Sequence, residues 1–287
     1  MSFSFNENIS LAPYCSMKVG GNAKYLALPK NEAELTEAIV FFREKGERII
    51  VVGNCSNLIF PDSGFDGAVI ITTTMRGISI EDGIITAYCG ETLSTLARFA
   101  CENSLSGLEF CYGIPGTVGG GVYMNAGAYG GELSDRFISG VFLDENLNRT
   151  VITAEEMGFG YRQSRMNKEN LILISASFSG IDGDKAQIKA KMDELMATRK
   201  AKQPLEFPNC GSAFKRPTGH FAGALIEQCG LKGYTIGGAQ VSEKHAGFVI
   251  NCGNATATDV LTLMKNVTDI VLEKTGVLLE PEIRVIE

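Results

Sequence analysis

The sequence predicts an α+β protein built from two units. Its 287 residues exceed a typical single domain of roughly 100 to 150. Runs with strand character alternate irregularly with stretches of helical periodicity, and the most regular helical stretch stops at Pro204 and Pro208, a hinge-like segment over Gln203–Asn209. In order, Asn31–Gly46 reads as an amphipathic helix, with Asn31 as N-cap, Glu34 three residues on, Leu35, Ala38, Ile39 and Phe42 on one face and Gly46 as terminator. Arg48–Val52 reads as a short buried strand, followed by strand-like runs over Gly67–Thr73 and Ile84–Cys89, a helix near Leu93–Asn103, and a long glycine-rich loop. Strand composition returns at Phe137–Leu143, Arg149–Thr153 and Asn170–Ser179. Asp184–Gln203 is a helix whose Ile188, Met192, Leu195 and Met196 share a face. Beyond the hinge come a helix at Phe221–Cys229, a strand at Gly247–Asn251, a helix at Thr256–Thr275 and a final strand ending at Glu287. The predicted organisation is a first region over 1–183, a connecting helix over 184–203 and a smaller α/β domain over 204–287.

Bulk properties narrow the function classes. A net charge of −7 gives no general attraction to nucleic acid or to an anionic membrane, so anionic ligands must be caught by local cations. No apolar run approaches the ~20 residues that cross a bilayer, and MSFSFNENIS lacks the basic and apolar regions of a leader, so a cytoplasmic protein is expected. The eight cysteines show no CxxC spacing and read as reduced thiols, not as a disulfide frame or zinc site. With only His220 and His245, a histidine-rich metal centre is excluded and no metal is expected.

Residues 111–130, CYGIPGTVGGGVYMNAGAYG, hold seven glycines. Gly113, Gly116, Gly119, Gly120 and Gly121 carry no Cβ, so backbone N–H groups can approach an anion closely; the segment reads as a pyrophosphate cradle, although a glycine-rich loop can also be purely structural. A second small loop, Gly53, Asn54, Cys55, Ser56 and Asn57, follows the Arg48–Val52 strand and offers short polar side chains for a phosphate or ribityl chain. Neither loop contains GxxxxGK[ST] or GxGxxG between strand and helix, which disfavours a P-loop kinase and an ordinary dinucleotide-binding dehydrogenase.

Seven collinear blocks carry a resemblance. They are KVGGNA (18–23), VVGNCSNLI (51–59), GIPGTVGGGVYMNAGAYG (113–130), YRQS (161–164), GSAFKRP (211–217), VSEKHAGFVIN (241–251) and LEPEIR (279–284). In order and spread over nearly the whole chain, they resemble the UDP-N-acetylenolpyruvoylglucosamine reductases, FAD enzymes of bacterial cell-wall synthesis. The resemblance implies an FAD-binding region of the PCMH type (vanillyl-alcohol-oxidase-like) followed by a smaller α/β substrate-binding domain. It implies noncovalent FAD held by Gly53, Asn54, Cys55, Ser56, Asn57, Gly113, Ile114, Pro115, Gly116, Thr117, Gly119, Gly120, Asn125, Ala126 and Gly127. NADPH is the implied co-substrate and a UDP-sugar the implied small-molecule substrate, with neither nucleic acid nor membrane as partner and a monomer or weak oligomer as the working form.

The implied reaction passes hydride from flavin N5 to C3 of an enolpyruvyl group, with a proton then delivered to C2. The resemblance assigns Arg162 as the catalytic arginine, and a permanently charged planar fork suits a carboxylate and developing negative charge; Arg165 is its neighbour and competitor. It assigns Ser212 as proton donor, a role that requires a strongly basic carbon acceptor because an alcohol is a weak acid. The serine lies outside any GxSxG elbow, so hydrolase chemistry is not indicated. Glu282 is the third catalytic candidate, expected to orient Arg162 or to polarise the intermediate, with Glu280 expected to face solvent.

Lys215, Arg216 and His245 are candidate substrate anchors; Arg216 stands where the family pattern GSxFKNP has asparagine. The 49 residues from 163 to 211 leave no room for the family's longer form with a substrate-closing tyrosine, so this chain resembles the shorter type. Two other readings stand at this point. One is a sugar or alcohol oxidase of the same FAD-binding architecture, for which no histidine precedes residue 220 to tether a flavin, while Cys55 or Cys111 remains available. The other is a flavin-binding protein without catalysis.

Overall fold

A computed structural model describes residues 2–287. The chain divides into two units: the first comprises the chain up to Asn6, Leu26–Asn54 and Ala68–Arg199, and the second Glu7–Tyr25, Cys55–Gly67 and Lys200–Glu287.

The first unit contains a five-stranded antiparallel sheet in the order Arg149–Thr153, Phe137–Leu143, Ile172–Ser179, Ile84–Tyr88, Ile78–Glu81. Alternation of buried and open positions along Ile172–Ser179 fits a period-2 strand. The edge strand Ile78–Glu81 has no counterpart in the sequence reading. It is joined to Ile84–Tyr88 by Asp82 (φ 48°) and Gly83 (φ 76°), a left-handed pair suited to a two-residue hairpin. The strand Ile49–Val52 pairs in parallel with Ala68–Ile71, and its neighbour's run from Ala68 to Ile71 is wholly buried, the pattern of a strand covered on both faces.

Helix Glu32–Glu44 starts as the sequence indicates. Asn31 Oδ1 accepts from the Glu34 N–H at 2.9 Å, while the Glu34 carboxylate accepts from the Lys30 N–H at 2.9 Å, one residue earlier than in a standard capping box. Its Leu35, Ala38, Ile39 and Phe42 are buried as expected. Helix Leu93–Glu102 is capped by Thr92, and the helix Lys185–Lys202 buries Ile188, Met192 and Leu195.

The glycine-rich stretch departs from the expected loop, because Val118–Met124 is a short helix. Glycine lowers intrinsic helicity by about 1 kcal/mol per residue relative to alanine. Here Thr117 caps the start, Asn125 closes the end in the left-handed conformation, and Val118 and Val122 are buried. The strand expected at Gly67–Thr73 starts earlier, at Phe65, and ends at Ile71, giving way to a turn of 3-10 helix over Thr72–Thr74.

The second unit holds a four-stranded antiparallel sheet in the order Asn209–Ser212, Phe248–Asn251, Ala239–Val241, Thr235–Ile236. The helices Ala222–Gln228 and Ala257–Thr275 bury Ile226, Val260, Leu263, Val267 and Val271 in the core of this unit. Leu58–Ile59 runs parallel to Arg284–Val285. Thr256 and Asp259 form a reciprocal capping box at the long helix, and Gly276 (φ 72°) ends it.

Asp62 reinforces that helix start from a segment 195 residues away in sequence. Its carboxylate accepts from the Ala257 N–H (2.7 Å), the Thr258 N–H (2.8 Å) and the Thr258 hydroxyl (2.6 Å). Burial pushes the Asp62 carboxyl up, yet the hydrogen bonds from Thr258 and Ala257 outweigh it and hold the group below the ordinary value. This contribution is therefore present above the ordinary carboxylate pKa and is lost as pH falls through the depressed one. Asp62→Ala is expected to destabilise the protein by about 1 kcal/mol. The check is the urea midpoint, which should drop at neutral pH; an unchanged midpoint would show that the three contacts contribute nothing.

Candidate active site

Within the first unit, Gly53 and Asn54 of the second predicted loop meet the glycine segment, Gly53 against the Thr117 side chain. A Cβ built on Gly53 would lie 2.2 Å from Thr117 Oγ1, so only glycine fits there. Asn54 adds a cross-link, its Nδ2 donating to the Pro115 carbonyl at 2.8 Å. The bulk of the glycine segment serves the fold. The Val118 and Gly119 amides donate to the Glu91 and Cys89 carbonyls (both 2.8 Å), the Gly120 amide donates to Thr117 Oγ1 (3.4 Å), and Gly113 and Ile114 donate to Ser94 Oγ and the Cys111 carbonyl (both 3.1 Å). Close packing needs the small residues: a Cβ on Gly119 would meet Cys89 at 3.2 Å, and one on Gly121 would meet Leu133 at 2.9 Å. Among the described residues no protein group accepts from the Gly116 or Thr117 amide. The amides of the glycine segment left open to a ligand are therefore those of Gly116 and Thr117, beside Gly53 and Asn54.

Arg162 occupies the tip of a tight turn closed by reciprocal backbone hydrogen bonds between Gly160 and Gln163 (3.1 and 3.2 Å). Its own φ is 56°, a left-handed conformation that is costly for a long side chain and has to be held by its surroundings. Two things hold it. Asn125, fully buried at φ 42°, donates through Nδ2 to the Gly160 carbonyl (3.2 Å) and to Ser134 Oγ (3.3 Å), while its Oδ1 accepts from the Ser134 N–H (2.9 Å). Arg162 Nη2 donates to the Gly127 carbonyl at 3.1 Å, and its guanidinium lies 5.0 Å from the Tyr161 ring centre. The Asn125–Gly127 tail, read from the sequence as cofactor-binding, thus supports the arginine turn; the Asn125 side chain is committed to protein partners. Arg165, the competitor, pairs instead with Glu169 at 2.7 Å.

Ser212 and Glu282 are neighbours in the second unit. The Glu282 N–H donates to the Ala213 carbonyl (2.9 Å), the residue after Ser212, and the Glu282 carbonyl accepts from Asn57 Nδ2 (3.2 Å). Gly211 (φ 76°) precedes Ser212, which is exposed, while Ala213 and Phe214 turn into the core. Glu280 is exposed and bridges to Lys215 Nζ at 3.3 Å, as expected of the solvent-facing member of the pair, whereas Glu282 is half-buried. The His245 ring packs edge-on against Phe248 at 4.9 Å, and its Nδ1 accepts from the Gly247 N–H at 3.1 Å, placing the neutral ring's proton on Nε2. Burial moves His245 below the ordinary histidine value, so it stays neutral near pH 7. Arg216 stacks over Phe221 at 4.0 Å, a residue the sequence reading did not single out.

Seven of the eight cysteines are buried, all eight are unbonded, and only Cys252 is exposed. Cys55 is 3% exposed, with its thiol pushed up by a hydrogen bond with Cys15 and by burial; Cys111 is 0% exposed and pushed up by burial and the Glu109 charge. Both are poor thiolates and hence poor nucleophiles. Among the described residues no cluster of three His, Cys, Asp or Glu could hold a metal ion, and no helix is long and apolar enough to cross a membrane.

The Gly53–Thr117 approach sets an expectation. Gly53→Ala should lower FAD retention on gel filtration at least about tenfold, by forcing the two segments apart, with Thr117→Ala in the same chain restoring part of it. Wild-type retention in Gly53→Ala would show that the contact does not shape the cradle.

Residues 203–286 match the model of the UDP-N-acetylenolpyruvoylglucosamine reductase C-terminal domain, and residues 23–146 match that of an FAD binding domain. UDP-N-acetylenolpyruvoylglucosamine reductase of Caldicellulosiruptor saccharolyticus is 48% identical over 289 residues, covering 100% of this chain and 93% of the relative. That of Latilactobacillus sakei subsp. sakei is 48% identical over 279 residues, covering 97% and 92%. The crystal structure of UDP-N-acetylenolpyruvylglucosamine reductase from Thermus caldophilus superimposes with a TM-score of 0.84 at 33% identity, covering 100% of both chains. With two relatives close to half identical over almost their full lengths, this chain belongs to the UDP-N-acetylenolpyruvoylglucosamine reductase family and is an FAD-dependent oxidoreductase.

Proposed function

We propose that this protein reduces the enolpyruvyl group of UDP-N-acetylglucosamine enolpyruvate to give UDP-N-acetylmuramate, a step of peptidoglycan precursor synthesis, using noncovalent FAD and NADPH. The observation that carries the reading is the Gly53–Thr117 approach with the free amides of Gly116 and Thr117 beside it. An approach too close for a Cβ, next to the unpaired Gly116 and Thr117 N–H donors and beside Asn54, fits a pyrophosphate bound through backbone. Bound there, FAD would supply the two-electron chemistry that links NADPH to C3 of the enolpyruvyl group. The buried, protonated thiols of Cys55 and Cys111 favour a cofactor held without a covalent bond.

The chain's own residues then have three tasks. Arg162, kept in its left-handed turn by Asn125, presents a fixed positive charge to the substrate carboxylate and to the negative charge that grows on it. The Ser212 hydroxyl donates its proton to C2; the glycine before it lets the chain turn so that the hydroxyl is open while Ala213 is buried. Glu282, fixed through its backbone to Ala213 and Asn57, polarises the same intermediate by hydrogen bonding. Lys215, Arg216 and His245 anchor the nucleotide end, His245 as a neutral Nε2–H donor.

Anaerobic stopped-flow measurement of the two half-reactions tests this. Ser212→Ala should leave bleaching of the flavin by NADPH nearly unchanged and slow its return with the enolpyruvyl sugar roughly 10²- to 10⁴-fold. Turnover of the wild type in D2O should place deuterium at C2 of the product. Equal slowing of both halves would make Ser212 structural, and a bleached wild-type protein indifferent to the sugar would refute the substrate.

A further inference from the structure

We propose that Phe221, with Arg216 stacked on it, is the platform on which the planar base of a bound nucleoside diphosphate rests; the inference deepens the reading above and relies on it for the ligand class. Phe221 is 62% exposed although the residues that follow it, Ala222, Leu225 and Ile226, are buried. An aromatic ring left this open, beside a helix whose apolar face is already covered, is not needed for the core of the unit. The ring is also held. The Arg216 guanidinium carbon lies 4.0 Å from its centroid, so one π-face carries a delocalised cation while 62% of the residue's surface stays open to solvent.

The neighbours supply what the rest of a nucleotide needs. Arg216 follows Lys215 in the segment that starts at Ser212, and the Lys215 N–H is fixed to the Glu280 carbonyl at 2.8 Å. Two residues beyond Phe221, a Cβ on Gly223 would meet His245 Cε1 at 3.3 Å, so the imidazole lies against the backbone next to the platform. One cation thus lies on the open ring, a neutral N–H donor packs against the backbone two residues beyond it, and a second cation, Lys215, adjoins Arg216 in sequence while bridging to Glu280 at 3.3 Å. Cations and a donor recognise phosphate and sugar, and a π-face recognises a base. An asparagine, which the family pattern has at position 216, carries no cation to stack on the ring in this way. The base can come from the UDP-sugar or from the adenosine half of NADPH, and these two sources are separable.

The test is calorimetric titration of full-length, FAD-loaded protein with UDP and, separately, with 2′,5′-ADP. Phe221→Ala is expected to weaken one of these two ligands by about tenfold, and Phe221→Tyr to retain wild-type affinity. Loss confined to UDP assigns the platform to uracil; loss confined to 2′,5′-ADP assigns it to adenine. Wild-type affinity of Phe221→Ala for both ligands, or failure of the wild type to bind either, overturns the proposal. Circular dichroism and flavin absorbance confirm that the exposed substitution leaves the fold intact. Because the readout is binding, it separates this proposal from the reductase reading: a protein that reduces the enolpyruvyl sugar but shows no Phe221 effect refutes the platform alone, and one that shows the effect without reduction refutes the reductase reading alone.

Discussion

A single buried carboxamide organises the first unit. Asn125 is wholly removed from solvent, sits in a left-handed conformation and spends both ends of its side chain on the protein, on Ser134 and on the Gly160 carbonyl. Leaving such a group unsatisfied costs about 1–3 kcal/mol, so this carboxamide ties the end of the short glycine helix to the Ser134 turn and the Arg162 turn. The Gly127 carbonyl, two residues on, takes the guanidinium itself. One stretch of sequence thus leaves two backbone amides open at Gly116–Thr117 and, nine residues later, supplies the mount for a permanent positive charge.

Much of the fold is legible wherever a local chemical signal is unambiguous. Asn31 with Glu34, and Thr256 with Asp259, mark helix starts because their side chains satisfy amides that the helix cannot. Phe137–Leu143 and Arg149–Thr153 are apolar or β-branched runs between turn residues, and the structure places them at those bounds. The strand Ile78–Glu81 is not legible from its own composition, although Asp82-Gly83 is a strong hairpin signal: only half of its residues are apolar and it lies at a sheet edge. The strands Phe5–Ser10 and Asn22–Ala27 are illegible for a related reason, since FNENIS and NAKYLA interleave polar and apolar residues too weakly to declare a face. The Val118–Met124 helix was hidden by its three glycines: local propensity argues against it, and contacts with Cys89, Leu93 and Leu133 decide the matter.

The candidate site was legible in a different way. Composition alone does not separate Arg162 from Arg165 or Glu282 from Glu280; the resemblance names one of each pair, and the structure shows how their surroundings differ. Arg165 and Glu280 are tied into exposed ion pairs, of small energetic weight, while Arg162 is mounted on a strained turn and Glu282 is half-buried beside Ala213. What no sequence pattern conveys is which amides remain free. Gly119 and Gly120 look as suited to an anion as Gly116 does, but their N–H groups are already used by Cys89 and Thr117. Sequence marks Phe221 only as the start of a helix, because its exposure and its partner Arg216 are tertiary facts.

The claim that Asn125 aims the arginine is tested most directly by Asn125→Gly, which permits the left-handed backbone and removes the carboxamide together with its Cβ. The rate at which the enolpyruvyl sugar restores the colour of the reduced protein is the quantity to measure. A fall of about tenfold or more is expected from the loosened Arg162 turn. A rate equal to that of the unaltered protein would contradict the account.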